Sequence, residues 1–468
     1  MPEDVLKDMP KDLSRRDMLK LLTVVGAATG SSSLFATKNE ERPKYQTKAK
    51  IVIVGGGDAG ITIASRINNL LENPDITIID PNMTHYYQPG QTLVAGGVWK
   101  LDDITFSLNS VLPEGVKLIN DAATVLDPDN NQIKIASGEI ISYDYMVLAT
   151  GLELNFQAIK GLKREDLGTQ GISSIYAWEG ASKTFKMLQN LAKKGKNEKI
   201  KTIFTHPKTA IKCGGAPKKI MNLTEHYLRL ENARDKAEID FMTPGGKYFG
   251  LPLYNEAVKK QFQERGQKAN FHHELIAVDS QAKIATFRHE YEVQGAYDKE
   301  EEEYEMISKV KEVTMEYDFL HVTPPMKAHD VVKNSPLSWQ KGNNGALGLI
   351  EVDSYTLQHK RYPNVFGAGD VIGTMYGKTG GSVRKQAPVV AENLVAMIKG
   401  EDLKQRYGGY TVCPLITGYG SVMLAEFDYE GVAASFPLDP KEQRWLWWLL
   451  KVYALKPMYF HGMLKGRM

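Results

Sequence analysis

Lys50-Ile51-Val52-Ile53-Val54-Gly55-Gly56-Gly57-Asp58-Ala59-Gly60 is the stretch that decides the fold. A β-branched apolar run preceded by charge reads as a strand buried on both faces, the pattern of a parallel sheet. Gly55, Gly57 and Gly60 follow it directly as G-x-G-x-x-G, and residues 61–71 continue with helical periodicity. Asp75-Ile76-Thr77-Ile78-Ile79-Asp80 then reads as a second strand that ends in an acid, twenty residues past Gly60. Glycines at these places let a backbone approach a pyrophosphate at a helix N-terminus, and the acid accepts hydrogen bonds from a ribose. The sequence therefore predicts an α/β fold with a dinucleotide crevice. Gly55, Gly57, Asp58, Ala59 and Gly60 face the phosphates there, and Asp80 the sugar.

Working outward, 468 residues suffice for two or three domains. With 42% hydrophobic residues, 24% charged residues and a net charge of +2, nothing favours nucleic acid. No metal is expected. Residues 1–40 stand outside the fold: Ser14-Arg15-Arg16-Asp17-Met18-Leu19-Lys20 matches a twin-arginine export motif, followed by an apolar stretch too short to span a bilayer. Export of a folded, cofactor-loaded protein to the bacterial periplasm is the expectation.

FAD and NAD share the opening fingerprint, so later segments must separate them. Tyr143-Asp144-Tyr145-Met146-Val147-Leu148-Ala149-Thr150-Gly151 is a strand ending in Ala-Thr-Gly, and Asn364-Val365-Phe366-Gly367-Ala368-Gly369-Asp370 one ending in Gly-Asp. These resemble the accessory motifs of glutathione-reductase-like flavoproteins. The resemblance implies FAD, held by Ala149, Thr150, Gly151, Gly369 and Asp370 as well as by the first loop. It also implies two Rossmann-like units: an FAD domain over 48–160 and 330–405, and a second unit over 161–329. In that second unit Lys201-Thr202-Ile203-Phe204-Thr205 reads as the first strand and residues 218–230 as the first helix. The loop between them lacks G-x-G-x-x-G and contains Pro217, which has no N–H to offer a phosphate. It holds Cys213 instead, near a helix N-terminus and beside Lys212, Lys218 and Lys219. Positive charge there favours a thiolate.

The chain's other cysteine, Cys413, lies in Tyr410-Thr411-Val412-Cys413-Pro414-Leu415-Ile416-Thr417-Gly418-Tyr419. In an oxidising compartment two cysteines pair by default, and spacing alone would leave a structural disulfide as the leading reading. Together the segment His85-Tyr86-Tyr87-Gln88-Pro89-Gly90-Gln91, the Cys213-Gly214-Gly215-Ala216-Pro217 loop and the Cys413 segment resemble sulfide:quinone oxidoreductases of the two-cysteine, mitochondrial-like branch. That resemblance implies sulfide oxidation at a Cys213/Cys413 redox pair beside non-covalent FAD, with electrons leaving to membrane quinone. Gln88 stands where flavocytochrome-type sulfide dehydrogenases can carry a flavin-linking cysteine. It further suggests Lys385, or alternatively Lys378, near the flavin's pyrimidine end. His206 and Glu179 are candidates for proton handling, and Phe427, Tyr419 and Met423 for a quinone channel.

Residues 406–468 close the chain with the second cysteine and Arg444-Trp445-Leu446-Trp447-Trp448-Leu449-Leu450-Lys451-Val452-Tyr453-Ala454-Leu455. Rich in tryptophan and fringed by cations, this segment reads as an amphipathic anchor lying on a membrane surface. A terminal helix packed on the core is the alternative. The expected location is the periplasmic face of the cytoplasmic membrane, with self-association left open. Two other functions remain in competition: a flavocytochrome c-type sulfide dehydrogenase flavin subunit, and a type-II NADH:quinone oxidoreductase. Asp298-Lys299-Glu300-Glu301-Glu302-Glu303 reads as a solvated hairpin tip.

Overall fold

The computed structural model describes residues 44–298 and 303–468. The twin-arginine segment and residues 299–302 of the acidic run lie outside the described residues. The opening motif forms β1 (Lys50–Val54), α1 (Asp58–Leu70) and β2 (Asp75–Ile79), joined by β3 (Lys117–Ile119) and β4 (Tyr145–Leu148). Ile51, Val52, Ile53 and Val54 are all buried, which a β-branched strand achieves only when both faces of its sheet are covered.

The second unit contains α2 (Trp178–Gly195), β5 (Ile200–Thr205), α3 (Ala216–Leu230), β6 (Ala237–Thr243) and β7 (Lys268–Phe271). A long hairpin of β8 (Ile284–Asp298) and β9 (Glu303–Glu316) precedes β10 (Phe319–His321). Its parallel sheet runs from Ile172–Ser173 through β10, β5 and β6 to β7. The chain then returns to the first sheet as β11 (Val365–Gly367), giving the all-parallel order β11-β4-β1-β2-β3. β1 lies between a strand that follows it directly and one added after a long excursion. The C-terminal end of β1 is therefore a switch point, where an α/β sheet opens a crevice.

Helix α4 (Gly380–Ile398) packs on α1 and leads to an antiparallel pair, β12 (Thr411–Gly418) and β13 (Ser421–Asp428). Helix α3 packs against β12, and that contact brings the two cysteine segments together. The chain ends in helical turns over Trp445–Leu449, Leu450–Ala454, Leu455–Pro457 and Met458–Met463, partly of the wide π type. Among the described residues no helix is long and apolar enough to cross a membrane. Trp447, Trp448, Leu449 and Leu450 point into the core, with the Trp448 ring against Tyr419, and Tyr453 is the exposed aromatic of the segment.

Candidate active site

A cavity of about 1170 Å³ opens at the switch point. Of the residues expected at the cofactor, all but Gly60 border it. The loop's glycines divide into two kinds. Gly55 has φ +112°, and a Cβ there would lie 2.4 Å from Ala149 O; a Cβ on Gly60 would lie 1.9 Å from Gly55 O. Those two are required by packing. Gly57 and Gly151 meet nothing within 4 Å, so their missing side chains leave open space in the cavity wall. Gly56 N–H donates to Asp80 Oδ2 at 2.6 Å, which fixes the acid at the end of β2. The buried Thr150 Oγ1 has no hydrogen-bond partner among the described residues, as expected of a group reserved for a ligand. Asp58 starts α1, and its carboxyl is pushed up to about 6 by burial and by Asp370 nearby.

Further along the wall stands Cys213, at φ +48° in the turn before α3. The left-handed backbone of a non-glycine residue costs on the order of 1–3 kcal/mol, so the turn must be held by its neighbours. Cys213 N–H donates to Lys378 O at 2.8 Å, and the Tyr176 hydroxyl donates to Cys213 O at 3.1 Å. Lys378 Nζ in turn donates to Asp370 O and Ile372 O, each at 2.6 Å, which ties the cysteine turn to the second accessory motif. Cys413 comes from β12, paired with Ala425, and is buried behind Cys213. A Cβ on Gly215 would come within 2.5 Å of Cys413 Sγ, so glycine at 215 is what lets the second sulfur reach the first.

Both cysteines are free thiols, and each shifts the other's pKa. Cys413 and the Lys219 ammonium hold the Cys213 thiol well below its usual range, and Cys213 together with burial drives the Cys413 thiol well above it. Lys219 Nζ donates to Cys213 Sγ at 3.3 Å. Burial alone would pull Lys219 down, but the two sulfurs outweigh it and the ammonium is held above its ordinary value. Lys451, buried and donating to Pro89 O at 2.7 Å, approaches from the C-terminal segment; burial and the Lys219 charge pull it down to about 7. Lys218 lies over the Phe241 ring, 4.4 Å from its centre, and burial lowers it to about 8. The lysines flanking Cys213 are therefore not a solvated helix face: Lys218 and Lys219 are both buried.

Pyridine nucleotide-disulphide oxidoreductases match residues 49–214 of the chain. The mitochondrial sulfide:quinone oxidoreductase of Dictyostelium discoideum is 39% identical over 439 residues, covering 93% of this chain and 90% of that protein. The chain belongs to the sulfide:quinone oxidoreductase family. The mitochondrial sulfide:quinone oxidoreductase of Mus musculus is 38% identical, covering 89% of this chain and 86% of that protein. In fold, the chain is similar to the solved sulfide:quinone oxidoreductase of the hyperthermophilic bacterium Aquifex aeolicus, with a TM-score of 0.68 at 23% identity. That likeness covers 90% of this chain and 92% of the other.

For this member of the sulfide:quinone oxidoreductase family the structure brings together the first dinucleotide loop, both accessory motifs and the two cysteines. Gln88 Oε1 accepts from Lys212 Nζ at 2.7 Å beside Cys213. Lys385 borders the cavity with its ammonium near the Tyr410 ring, whereas Lys378 is the one bound into the second motif. Glu179 pairs with Arg164 at 3.0 Å, and His206 Nδ1 contacts Pro207 O; burial pulls His206 down to about 4, and neither residue hydrogen-bonds a sulfur. Tyr419, Met423 and Phe427 are core residues that do not border the cavity, and the Tyr419 hydroxyl is spent on Gly96 O. The apolar wall comes instead from Leu450, Leu455, Met458, Tyr459 and Met463. Sequence reasoning missed Lys451 and the buried Tyr459–His85 contact, Oη to Nε2 at 2.7 Å. A single lysine inside an otherwise apolar tryptophan-rich run was the available signal.

Proposed function

We propose that this chain oxidises sulfide to sulfane sulfur at Cys213 and Cys413 and delivers the two electrons, through non-covalently bound FAD, to membrane quinone. The observation that carries the reading is Cys213, with Lys219 Nζ donating to its sulfur and Cys413 packed on Gly215 of the same turn, in the wall of a cavity that also contains the dinucleotide loop. The residues present fit FAD: Gly57 and Gly151 leave room, Gly56 N–H and Asp80 set the ribose end, and Thr150 Oγ1 awaits a partner. Gln88 stands where a flavin-linking cysteine would be, which supports non-covalent binding. When bound, FAD supplies a two-electron acceptor beside Cys213 that can hand its electrons on to quinone.

The protein's own part follows from thiol chemistry. With the pair oxidised to a disulfide, HS⁻ attacks one sulfur, leaving a persulfide on that residue and a thiolate on the other. Lys219 Nζ at the Cys213 sulfur stabilises a thiolate there, so Cys213 is the leaving thiolate and Cys413 carries the persulfide. A nucleophilic acceptor removes the outer sulfur, and re-forming the disulfide releases two electrons and one proton. Leu455, Met458 and Met463 give quinone an apolar wall. The twin-arginine motif supports the periplasmic face of the membrane as its place of work.

Anaerobic sulfide titration of the FAD-loaded protein tests this. Flavin bleaching that a soluble quinone reverses is expected, and is lost in Cys213→Ser and Cys413→Ser variants that still bind FAD. Bleaching by NADH in place of sulfide would sink the reading.

A further inference from the structure

The β8–β9 hairpin plays no part in the chemistry above, and among the described residues no strand pairs with its outer edge. β9 is the last strand of the sheet His273–Asp279, β8, β9. Its ladder with β8 runs without a bulge from Ile284↔Glu316 to Gln294↔Met306, and residues 304–312 are exposed throughout. Soluble proteins usually blunt such an edge with proline, a bulge, a short strand or charged side chains, and of these β9 has only charge, in Glu305, Lys309, Lys311 and Glu312. Here it is long and carries exposed apolar side chains: Met306 at 52%, Ile307 at 40% and Val310 at 62%. Even-numbered positions share one face of the ribbon and odd-numbered positions the other.

We propose that two copies of this chain pair β9 edge to edge, antiparallel, about a twofold axis that sets Ile307 opposite Ile307 of the second copy. The sequence of β9 is self-complementary in that register. Lys309 falls opposite Glu305 of the second copy, and by symmetry Glu305 falls opposite Lys309, so two ion pairs flank the central isoleucines. On the other face Val310 meets Tyr304 and Met306 meets Ser308. Shifting the register by two residues either way places Lys309 or Glu305 against Ile307. A shift by one sets the charged face of one strand level with the apolar face of the other. A closed, twofold interface of this kind satisfies both edges at once and leaves none for further growth.

The test uses the FAD-loaded full chain and sedimentation velocity at micromolar concentration. Wild type is expected to sediment as a dimer. Lys309→Glu alone and Glu305→Lys alone each put like charges opposite one another and weaken the dimer at least tenfold. An equimolar mixture of the two single variants recreates both opposite-charge pairs and restores it. Flavin absorbance and reaction with sulfide, unchanged in both variants, establish that each is folded. A monomeric wild type, a single variant that stays dimeric, or a mixture that stays monomeric each overturns the proposal.

Discussion

The Cys213 thiol is held below its ordinary pKa by what surrounds its sulfur. Lys219 supplies a buried ammonium at hydrogen-bond distance. Removing the lysine charge while keeping its stem, as in Lys219→Met, should move the pH midpoint of Cys213 alkylation by iodoacetamide upward. An unchanged midpoint would show that Lys219 does not support the thiolate. Lys451 yields a prediction about pH. The unfolded chain holds this proton up to about its ordinary 10.5, whereas the folded chain releases it near 7. The unfolded state thus binds more protons between those values, so the Lys451 contribution to stability rises as pH climbs from about 7 and is lost as pH falls back through that window. Urea unfolding should show wild type gaining on Lys451→Met over that interval. A difference that stays flat with pH would mean that Lys451 keeps its ordinary pKa in the fold.

Among the elements, the ones legible in sequence are those whose backbone leaves no choice of residue. Gly55 and Gly60 have no room for a Cβ and β1 is buried on both faces, so strand, loop and helix α1 are written in residue types. The same reasoning located the Cys213 turn, where a nucleotide loop was missing. It did not reveal that Lys218 and Lys219 turn inward, because a helix N-terminus with lysines has the same local pattern whether β12 covers it or water does. Nor could it separate an anchor from a core helix in the tryptophan-rich end: apolar residues suit lipid and protein interior alike, and tertiary partners such as Tyr419 make the difference. Tyr419, Met423 and Phe427, offered by the sequence for a quinone channel, are core residues outside the wall of this cavity. A prediction belongs to α3 and β12 as a pair. Gly215→Ala places a methyl 2.5 Å from Cys413 Sγ, so the strand must move away. FAD content should remain, while flavin bleaching by sulfide slows by about tenfold to a hundredfold, as a misplacement of reacting groups by about 1 Å does. Bleaching at the wild-type rate would mean that the sulfurs need no such approach.

Across the whole molecule, two Rossmann-like units share a fold but not a task. The first keeps an open phosphate loop; the second has traded its own for a cysteine turn, with Pro217 in the first turn of α3. The C-terminal segment then completes the cavity from outside both sheets. Lys451 donates to Pro89 O, Tyr459 meets His85, and Ser65 Oγ donates to Leu464 O at 2.5 Å on α1. This segment is therefore a wall of the site, whatever it also does at a membrane. Trp447 and Trp448 are buried within it, and emptying such positions costs about 3–5 kcal/mol each. Deleting residues 445–468 should thus strip flavin from the protein and lower its unfolding midpoint, and should not yield a water-soluble enzyme that still holds FAD. The ratio of flavin absorbance to protein after gel filtration, read beside a urea unfolding curve, decides the matter. A truncated protein that keeps full FAD and wild-type stability, and loses only its sedimentation with lipid vesicles, would make the segment a detachable anchor and contradict the packing of Trp448 against Tyr419.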